Sequence, residues 1–328
     1  MLSRVADSIY WMSRYAERAE NVARFIDVNL KLMLDNPLPE SQQWEPLVST
    51  TGDLDAFTKR FGQATQANVI HFLTFDAENP NSILACVRAA RENARTIREI
   101  LSSEMWLQLN KFYWTVTAAA ENSRPLDNPH EFFDEVKNAN HLFTGVAAAT
   151  MTHGEPWHFF HMAQMLERAD KTSRILDVKY FILLRSVQDV GTPFDDIQWA
   201  AVLRSASAFE MYRKRHGRMS PKGVVQFLLL DREFPRAVNF CLLAACDSLH
   251  AISGTPAGTY RSTPEKLLGQ LCSELSFASV EEIINGGLHE YLDDLQTRMN
   301  QVGGGIFETF FALKSPQPTR RLTQHQTQ

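Results

Sequence analysis

Apolar residues recur every three or four positions along most of the chain, which is the period of an amphipathic α-helix. Alternating apolar and polar residues bounded by turn pairs, the pattern of β-strands, are hard to find. The sequence therefore predicts an all-α fold, a multi-helix bundle built from antiparallel helices.

Proline-rich and glycine-containing segments mark the predicted helix ends. The first helix should run from about Ser3 to Leu34 and stop before DNPLP, because proline breaks a helix. A shorter helical region is expected at 57–75, and the loop ENPNS offers Ser82 as the next N-cap. The following segment, 83–119, is either one long helix or two helices joined near residues 101–102.

The second half of the chain continues in helices after the break SRPLDNP. Residues 316–328 are polar and rich in proline and glutamine, so we expect a disordered tail there. Residues 1–315 should form a single helical domain; two halves meeting near 125–155 are the alternative. Helices are predicted at 130–152, 157–187, 195–215, 220–230, 234–253, 263–275 and 279–314.

One charged phrase occurs twice, 150 positions apart, as YAERAENVARFIDVN at 15–29 and MLERADKTSRILDVK at 165–179. Seven of twenty positions are identical between 10–29 and 160–179, which predicts an internal duplication of a helical hairpin. The two helices should then be antiparallel or crossed neighbours about a pseudo-twofold axis. The expected partners are Arg168 or Arg174 for Glu17, and Arg18 or Arg24 for Glu167.

The polar residues of each copy share one face of a helix. At about 100° per residue, the first copy places its charged residues in a stripe about 120° wide, beside a stripe of alanines. Three interpretations stay open: a structural ion-pair network at a helix interface, i, i+4 pairs on a solvated face, or a pocket whose arginines hold a carboxylate or phosphate. Glu17 and Glu167 are the candidates for acid–base chemistry. The anion-binding candidates within the repeats are Arg14, Arg18, Arg24, Arg168 and Arg174.

A second arginine row supplies further candidates for an anion site. Arg91, Arg95 and Arg98 are spaced i, i+4, i+7 and therefore lie on one face of a predicted helix. Pairing with acids on a neighbouring helix is the competing interpretation.

Composition narrows the function classes. The 328 residues carry a formal net charge of −5 without a long basic stripe, which argues against nucleic-acid binding. Arginine outnumbers lysine by 23 to 10, and guanidinium groups suit fixed bidentate contacts with carboxylates or phosphates. This bias agrees with buried ion pairs or an anionic ligand.

The sequence also indicates where the protein is located and which catalytic motifs it lacks. The four cysteines form no C-x-x-C motif and lie among apolar residues, as reduced core cysteines do. The first residues lack a signal peptide, and no window approaches the roughly 20 apolar residues of a membrane span. We expect a cytoplasmic protein without membrane contact.

No nucleotide-binding loop and no G-x-S-x-G motif are present in the sequence, so neither a cofactor nor a catalytic nucleophile is predicted.

The sequence predicts no metal site. The alternative is a site formed by the three histidines of HGEPWHFFH. His153, His158 and His161 have the spacing H-x4-H-x2-H, and the last two would be neighbours on a helix beginning near Trp157. The competing interpretation is a helix start with aromatic packing.

Four blocks occur in order along the chain: MLSRVADSIYWMSRYAERAENVARFIDV, RAARENARTIREILSSEMWLQLN, HGEPWHFFHMAQMLERADKTSRILDVKYF and FLLLDREFPRAVNFCL. Together they resemble the bacterial alpha-E family, which has an all-helical fold and a Glu-Arg motif. The resemblance extends from Met1 to about Leu313. The family's Glu-Arg pairs fall on Glu17–Arg18 and Glu167–Arg168, and its late element falls on Asp231 to Arg236, which adds Arg236 to the anion-binding candidates.

The resemblance implies a partner more clearly than a reaction. Proteins of this family are encoded beside, or fused to, circularly permuted ATP-grasp proteins, in systems that make or modify peptide (amide) bonds. The expected function is a helical component of such a system that binds the ligase, a carboxylate-bearing peptide or amino-acid substrate, or both. The alternatives are a free-standing enzyme that uses Glu17 and Glu167 as acid and base, and a purely structural interaction protein.

Overall fold

The computed structural model describes residues 1–33, 40–122, 128–183 and 193–312. These residues form fifteen α-helices and no β-strand, which confirms the all-α fold for the described part of the chain. The predicted break at DNPLP and the predicted tail at 316–328 lie outside the described residues.

The first seven helices follow the predicted pattern with one addition. Ser82 caps its helix as expected, because its Oγ accepts a hydrogen bond from the backbone N–H of Ala85 at 3.1 Å. The 57–75 region divides at Gly62, whose φ of +69° ends a helix. The segment 83–119 forms two helices, and the helix at 40–51 was not predicted. Their bounds are α1 Ser3–Met33, α2 Glu40–Thr51, α3 Leu54–Phe61, α4 Gln66–Thr74, α5 Ile83–Thr96, α6 Ser103–Asn122 and α7 Pro129–Thr150.

Two of the helices predicted in the second half of the chain are each divided in the structure. The predicted helix at 195–215 is interrupted at Ser207, which has a φ of +51°, and the one at 279–314 at Gly287, which has a φ of +102°. Two π-helical segments, Gln226–Leu230 and Phe307–Phe311, continue α11 and α15. The bounds are α8 Glu155–Leu183, α9 Pro193–Ser205, α10 Phe209–His216, α11 Pro221–Val225, α12 Val238–Ser253, α13 Thr263–Phe277, α14 Val280–Gly286 and α15 Leu288–Ile306.

The helices pack as two four-helix bundles. In the first, α1 contacts α5 and α7, and α6 lies against both of these; in the second, α8 contacts α12 and α15, and α13 lies against both. The bundles meet where α1 packs directly on α8. The short helix after each of these crosses over, so that α2 packs on α8 and α9 packs on α1.

The central helices α1 and α8 run in the same direction. Ser13 Oγ donates to the carbonyl oxygen of Phe160 at 2.8 Å, and Gln164 Nε2 donates to Glu17 Oε2 at 3.2 Å, so contacts advance together along both helices. The prediction that α1 and α8 are neighbours is confirmed, but the prediction that they are antiparallel is wrong. Each of them has antiparallel partners within its own bundle, and the interface between bundles joins equivalent faces.

Small residues allow close packing around α1. Ala16, Ala19 and Ala23 are buried, as the alanine stripe predicted. The missed helix α2 contains Pro46 and lacks strong amphipathic character, yet its Trp44 is completely buried. Tertiary packing therefore decides this element, since its local sequence does not favour a helix.

Candidate functional site

The two Glu-Arg dipeptides form reciprocal pairs between α1 and α8. Arg18 donates to both carboxylate oxygens of Glu167, from Nε at 2.7 Å and from a terminal nitrogen at 3.0 Å. Arg168 holds Glu17 in the same manner, at 2.7 and 3.1 Å. Bidentate arginine–carboxylate pairs are among the strongest side-chain contacts. The prediction that each copy of the phrase faces the other is confirmed.

One group of polar side chains surrounds Glu17 and is called here the Glu17 cluster. Arg236 donates to Glu20 Oε2 at 2.9 Å and to Asn21 Oδ1 at 3.0 Å. Arg24 also donates to Glu20, one turn earlier on α1. The cluster therefore joins α1, α8 and the segment before α12. Its members are Glu17, Glu20, Asn21, Arg24, Gln164, Arg168 and Arg236.

A second group surrounds Glu167 and is called the Glu167 cluster. Arg14 Nε donates to Glu167 Oε2 at 2.7 Å, which gives this carboxylate two guanidinium partners. Asp170 accepts from Arg174 Nε at 3.0 Å and lies 3.1 Å from Lys171 Nζ. The members are Arg14, Arg18, Asn81, Glu167, Asp170, Lys171 and Arg174.

The charged residues of the two copies divide into these two clusters. Equivalent positions of the repeat supply equivalent contacts, so that Glu20–Arg24 of one cluster matches Asp170–Arg174 of the other. The clusters differ where Gln164 contacts Glu17 and Arg14 contacts Glu167. Lys171 also stands at the position equivalent to Asn21, whereas only the Glu17 cluster has Arg236. The Glu167 cluster therefore holds four cations and the Glu17 cluster three, each with two carboxylates.

The cluster carboxylates are buried anions. Burial alone raises the pKa of Glu167, but the guanidinium groups of Arg18 and Arg14 outweigh burial and hold this pKa well below its usual range. Burial likewise raises the pKa of Glu17, and Arg168 and Arg236 bring it below the ordinary value. A general acid needs a raised pKa, so neither carboxyl has the electrostatic setting that acid catalysis requires.

We expect stability to fall in acid because of these carboxylates. Their folded-state pKa values lie below those of the unfolded chain, about 4.3 for Glu and 3.9 for Asp. Their contribution is therefore present above about pH 5 and is lost as pH falls through the folded-state values. Melting temperatures should be nearly constant from pH 7 to 5 and drop below pH 4. An acid transition of equal size in Glu167→Gln would contradict this assignment.

The row of arginines on α5 lies apart from both clusters. Arg91 donates to Asn110 Oδ1 at 2.7 Å and packs on the Tyr113 ring at 4.8 Å. Arg95, with 67% of its side chain exposed, pairs with Glu92, and Arg98 lies over Trp106. The described contacts of these three side chains are with α5, α6 and the turn between them, not with Glu17 or Glu167.

The three histidines do not converge on a metal site. His153 stacks on the ring of Trp157 with centroids 4.2 Å apart, and His161 Nδ1 lies 3.0 Å from Ser248 Oγ on α12. Within the described ranges, no group of three His, Cys, Asp or Glu side chains is placed to hold a metal ion. Aromatic packing at the start of α8 accounts for HGEPWHFFH.

Several cluster members were not predicted as site residues. Glu20 is completely buried between Arg24 and Arg236, and its i, i+4 spacing to Arg24 was the available signal. Asn81 accepts from Arg18 at 2.9 Å, but its place in the loop ENPNS gave no indication of this contact. Only the antiparallel packing of α5 on α1 brings that loop to Arg18.

None of the helices, over the residues described, is long and apolar enough to cross a membrane. This finding agrees with the absence of an apolar span in the sequence.

Comparisons with known proteins identify the family. An uncharacterized protein of Mycobacterium bovis is 24% identical over 337 residues, covering 94% of this chain and 37% of the relative. An uncharacterized protein of Mycobacterium tuberculosis strain H37Rv is 23% identical with the same coverage. The chain thus spans little more than a third of the length of these relatives, and no solved structure matches it.

The family model that matches residues 1–311 is Alpha-E, described as a predicted alpha-helical domain with a conserved ER motif. The two Glu-Arg dipeptides of this chain are the residues that form the reciprocal pairs between α1 and α8. The chain therefore belongs to the Alpha-E family.

Proposed function

We propose that the protein is the helical component of an ATP-grasp-linked system that forms or modifies amide bonds, and that its Glu167 cluster holds a carboxylate or phosphate group of a substrate. The partner follows from the family resemblance, and the anion site from the charges of the cluster. The relatives carry this region within a chain more than twice as long. That length supports a module that works beside other protein segments.

The observation that carries the anion site is an excess of positive charge. Four cationic side chains, Arg14, Arg18, Lys171 and Arg174, share the two carboxylates Glu167 and Asp170. Asp53 reaches this cluster through Asn81 and still leaves the cations in excess. Unmatched guanidinium groups with little exposure are costly unless an anion lies beside them.

The excess charge is accessible from solvent. The side chain of Arg174 is 24% exposed, and those of Arg14 and Arg18 are 17% and 15% exposed, whereas Glu167 is completely buried. An incoming carboxylate or phosphate therefore meets the outer edges of guanidinium groups whose inner edges are fixed by protein acids. Such fixed, planar guanidinium groups recognise carboxylates and phosphates by paired hydrogen bonds.

We also propose that the two bundles are copies of one ancestral four-helix bundle. Cys86 and Cys241 each donate to the carbonyl oxygen of a proline six residues earlier, at 3.5 and 3.4 Å. Asp27 and Asp177, the aspartates of the repeated phrase, each contact a histidine Nδ1, at 2.8 and 2.6 Å. On this proposal, the charge difference between the clusters reflects divergence, and one copy has specialised in binding an anion.

Replacing Arg14 by glutamine tests the anion site, because Gln164 occupies the equivalent position in the other cluster. We expect affinity for pyrophosphate or a short acidic peptide to fall roughly tenfold or more, since a charge-assisted hydrogen bond contributes about 1.5–3 kcal/mol. Calorimetric titration at low salt measures the change. Arg95→Gln, on the exposed face of α5, is the matched control and should bind as the wild type does.

The proposed partner is tested separately by co-expression. Affinity purification of the tagged chain with the circularly permuted ATP-grasp protein should yield a stable complex that survives gel filtration. If the wild type binds no anion at millimolar concentration, the anion site is wrong. If the two proteins elute separately with and without ATP and the anion, the partnership is wrong.

A further inference from the structure

Two cysteines and a histidine meet at a cavity in the second bundle, away from both charged clusters. Cys246 and His250 lie one turn apart on α12, and Cys272 lies on the adjacent helix α13. All three line a cavity of about 520 Å³, a volume typical of small-molecule sites. The cavity is also lined by Tyr260, Glu265 and Lys266.

The histidine is oriented for contact with a thiol. His250 Nδ1 lies 3.0 Å from the carbonyl oxygen of Thr255. A carbonyl oxygen only accepts, so Nδ1 carries the hydrogen and Nε2 is the nitrogen left to act as a base toward Cys246, one turn earlier on α12. A nucleophile beside a base that a third group orients is the arrangement of activated cysteines.

The two thiols differ in exposure and in charge. Cys246 is partly exposed, whereas Cys272 is buried, and both thiols line the same cavity. The hydrogen bond from Cys272, assisted by His250, lowers the pKa of Cys246 to about 7 in spite of its burial. The same hydrogen bond and burial raise the pKa of Cys272. A partly exposed thiolate beside a buried thiol is the arrangement of attacking and resolving cysteines.

The other two cysteines provide an internal comparison. Cys86 and Cys241 are buried, and burial raises the pKa of each thiol to about 12. Each donates its S–H to a proline carbonyl oxygen. These thiols are therefore protonated and inert at neutral pH, although each lies beside an arginine.

We propose that Cys246 and Cys272 are a redox-active pair that reacts with a small disulfide admitted to the cavity. The Cys246 thiolate attacks one sulfur of the small disulfide, whose S–S bond breaks and whose second sulfur leaves as a thiolate. Cys272 transfers its proton to His250 Nε2 and attacks Cys246 Sγ, which releases the second small thiolate. The two protons lost by the cysteines are taken up by the two leaving thiolates. One protein disulfide forms and one small disulfide becomes two thiols.

The rim of the cavity indicates the charge of the small disulfide. Lys266 Nζ lies 5.9 Å from the centre of the Tyr260 ring, so an ammonium group stands beside the opening. A disulfide that carries carboxylates, such as oxidised glutathione, complements this charge. The titratable and charged groups near Cys246 are Asp247 and His250 from α12, and Glu265, Lys266 and Cys272 from α13.

Mass spectrometry of the reduced full-length chain after treatment with oxidised glutathione tests the proposal. The wild type should lose two hydrogen atoms, and digestion should yield a peptide pair joined through Cys246 and Cys272. Cys272→Ser should instead retain one glutathionyl group on Cys246, because no thiol remains to release it. Cys246→Ser should take up no glutathione.

Alkylation rates provide a second readout that does not need the disulfide. At pH 7, Cys246 should react with iodoacetamide at least about tenfold faster than Cys86 or Cys241, because only thiolates react. The midpoint of its pH–rate profile should lie near 7 and move upward in Cys272→Ala and His250→Asn, with folding checked by circular dichroism. A glutathionyl group that stays on wild-type Cys246, modification elsewhere, or two free thiols after treatment would each overturn the proposal.

Discussion

Replacing Glu167 by alanine is expected to lower the free energy of unfolding by about 3–5 kcal/mol. Glu167 is completely buried and accepts hydrogen bonds from Arg14 and Arg18. Without its carboxylate, two guanidinium groups with little exposure lose their countercharge, and Lys171 loses one of its two acids. The cost comes mainly from these stranded cations, because a buried charge is stable only when it is paired.

Urea unfolding of the variant measures this change directly. The matched control is Glu92→Ala, since Glu92 is 46% exposed and pairs with exposed Arg95 on α5. Exposed pairs contribute about 1 kcal/mol or less, so the control should unfold almost as the wild type does. Equal midpoints for Glu167→Ala and Glu92→Ala would show that the reciprocal pairs do not stabilise the fold.

Replacing Arg236 by methionine should have an effect of similar size in the Glu17 cluster, again about 3–5 kcal/mol. Arg236 is buried and donates to Glu20 and Asn21, so its loss leaves Glu20 with Arg24 as its main cationic partner. Glu20→Gln, added to this variant, removes the stranded charge. The double variant should therefore be more stable than the sum of the single changes predicts, by about 1–3 kcal/mol.

The cycle of two single variants and one double variant gives this coupling energy from urea midpoints. Arg215→Met is the control, because Arg215 pairs with Asp231 and Glu233 at the surface and should change stability little. Strictly additive effects of Arg236→Met and Glu20→Gln would mean that these side chains do not act on one another, in contradiction to the contact between them.

The reciprocal pairs and the charge excess have different consequences. The pairs between Glu17 and Arg168 and between Glu167 and Arg18 join two bundles, and they fix which faces of α1 and α8 meet. Arg14 and Arg174 of the Glu167 cluster are partly exposed at its outer edge, where we propose that an anion binds. Arg14→Gln addresses the second property and leaves the first intact, so the two can be separated experimentally.

Local physics explains what could be predicted from the sequence. A helix depends on contacts three and four residues apart, so the apolar period indicated the helices, and the break at ENPNS with its cap Ser82 indicated where α5 begins. The repeated phrase indicated that Glu17 and Glu167 face partners on each other's helix, because both copies carry the same charged face. The prediction that the charged residues of α1 share one face was correct as well, because it depends only on the helical period.

Contacts between distant segments could not be predicted in this way. Only the packed bundles show that α1 and α8 run in the same direction, that α5 directs its arginines away from Glu167, and that the ion pairs divide into two clusters. The pairing of Cys246 with His250 was available as an i, i+4 spacing, but Cys272 reaches them only because α13 packs on α12. The apolar period indicated most of the helices, and the repeated phrase limited each glutamate to two candidate arginines, of which Arg168 and Arg18 are the bidentate partners. The tertiary structure decided the direction of the helices, the division of charge and the position of the thiols, because these depend on how whole helices bury their apolar faces against one another.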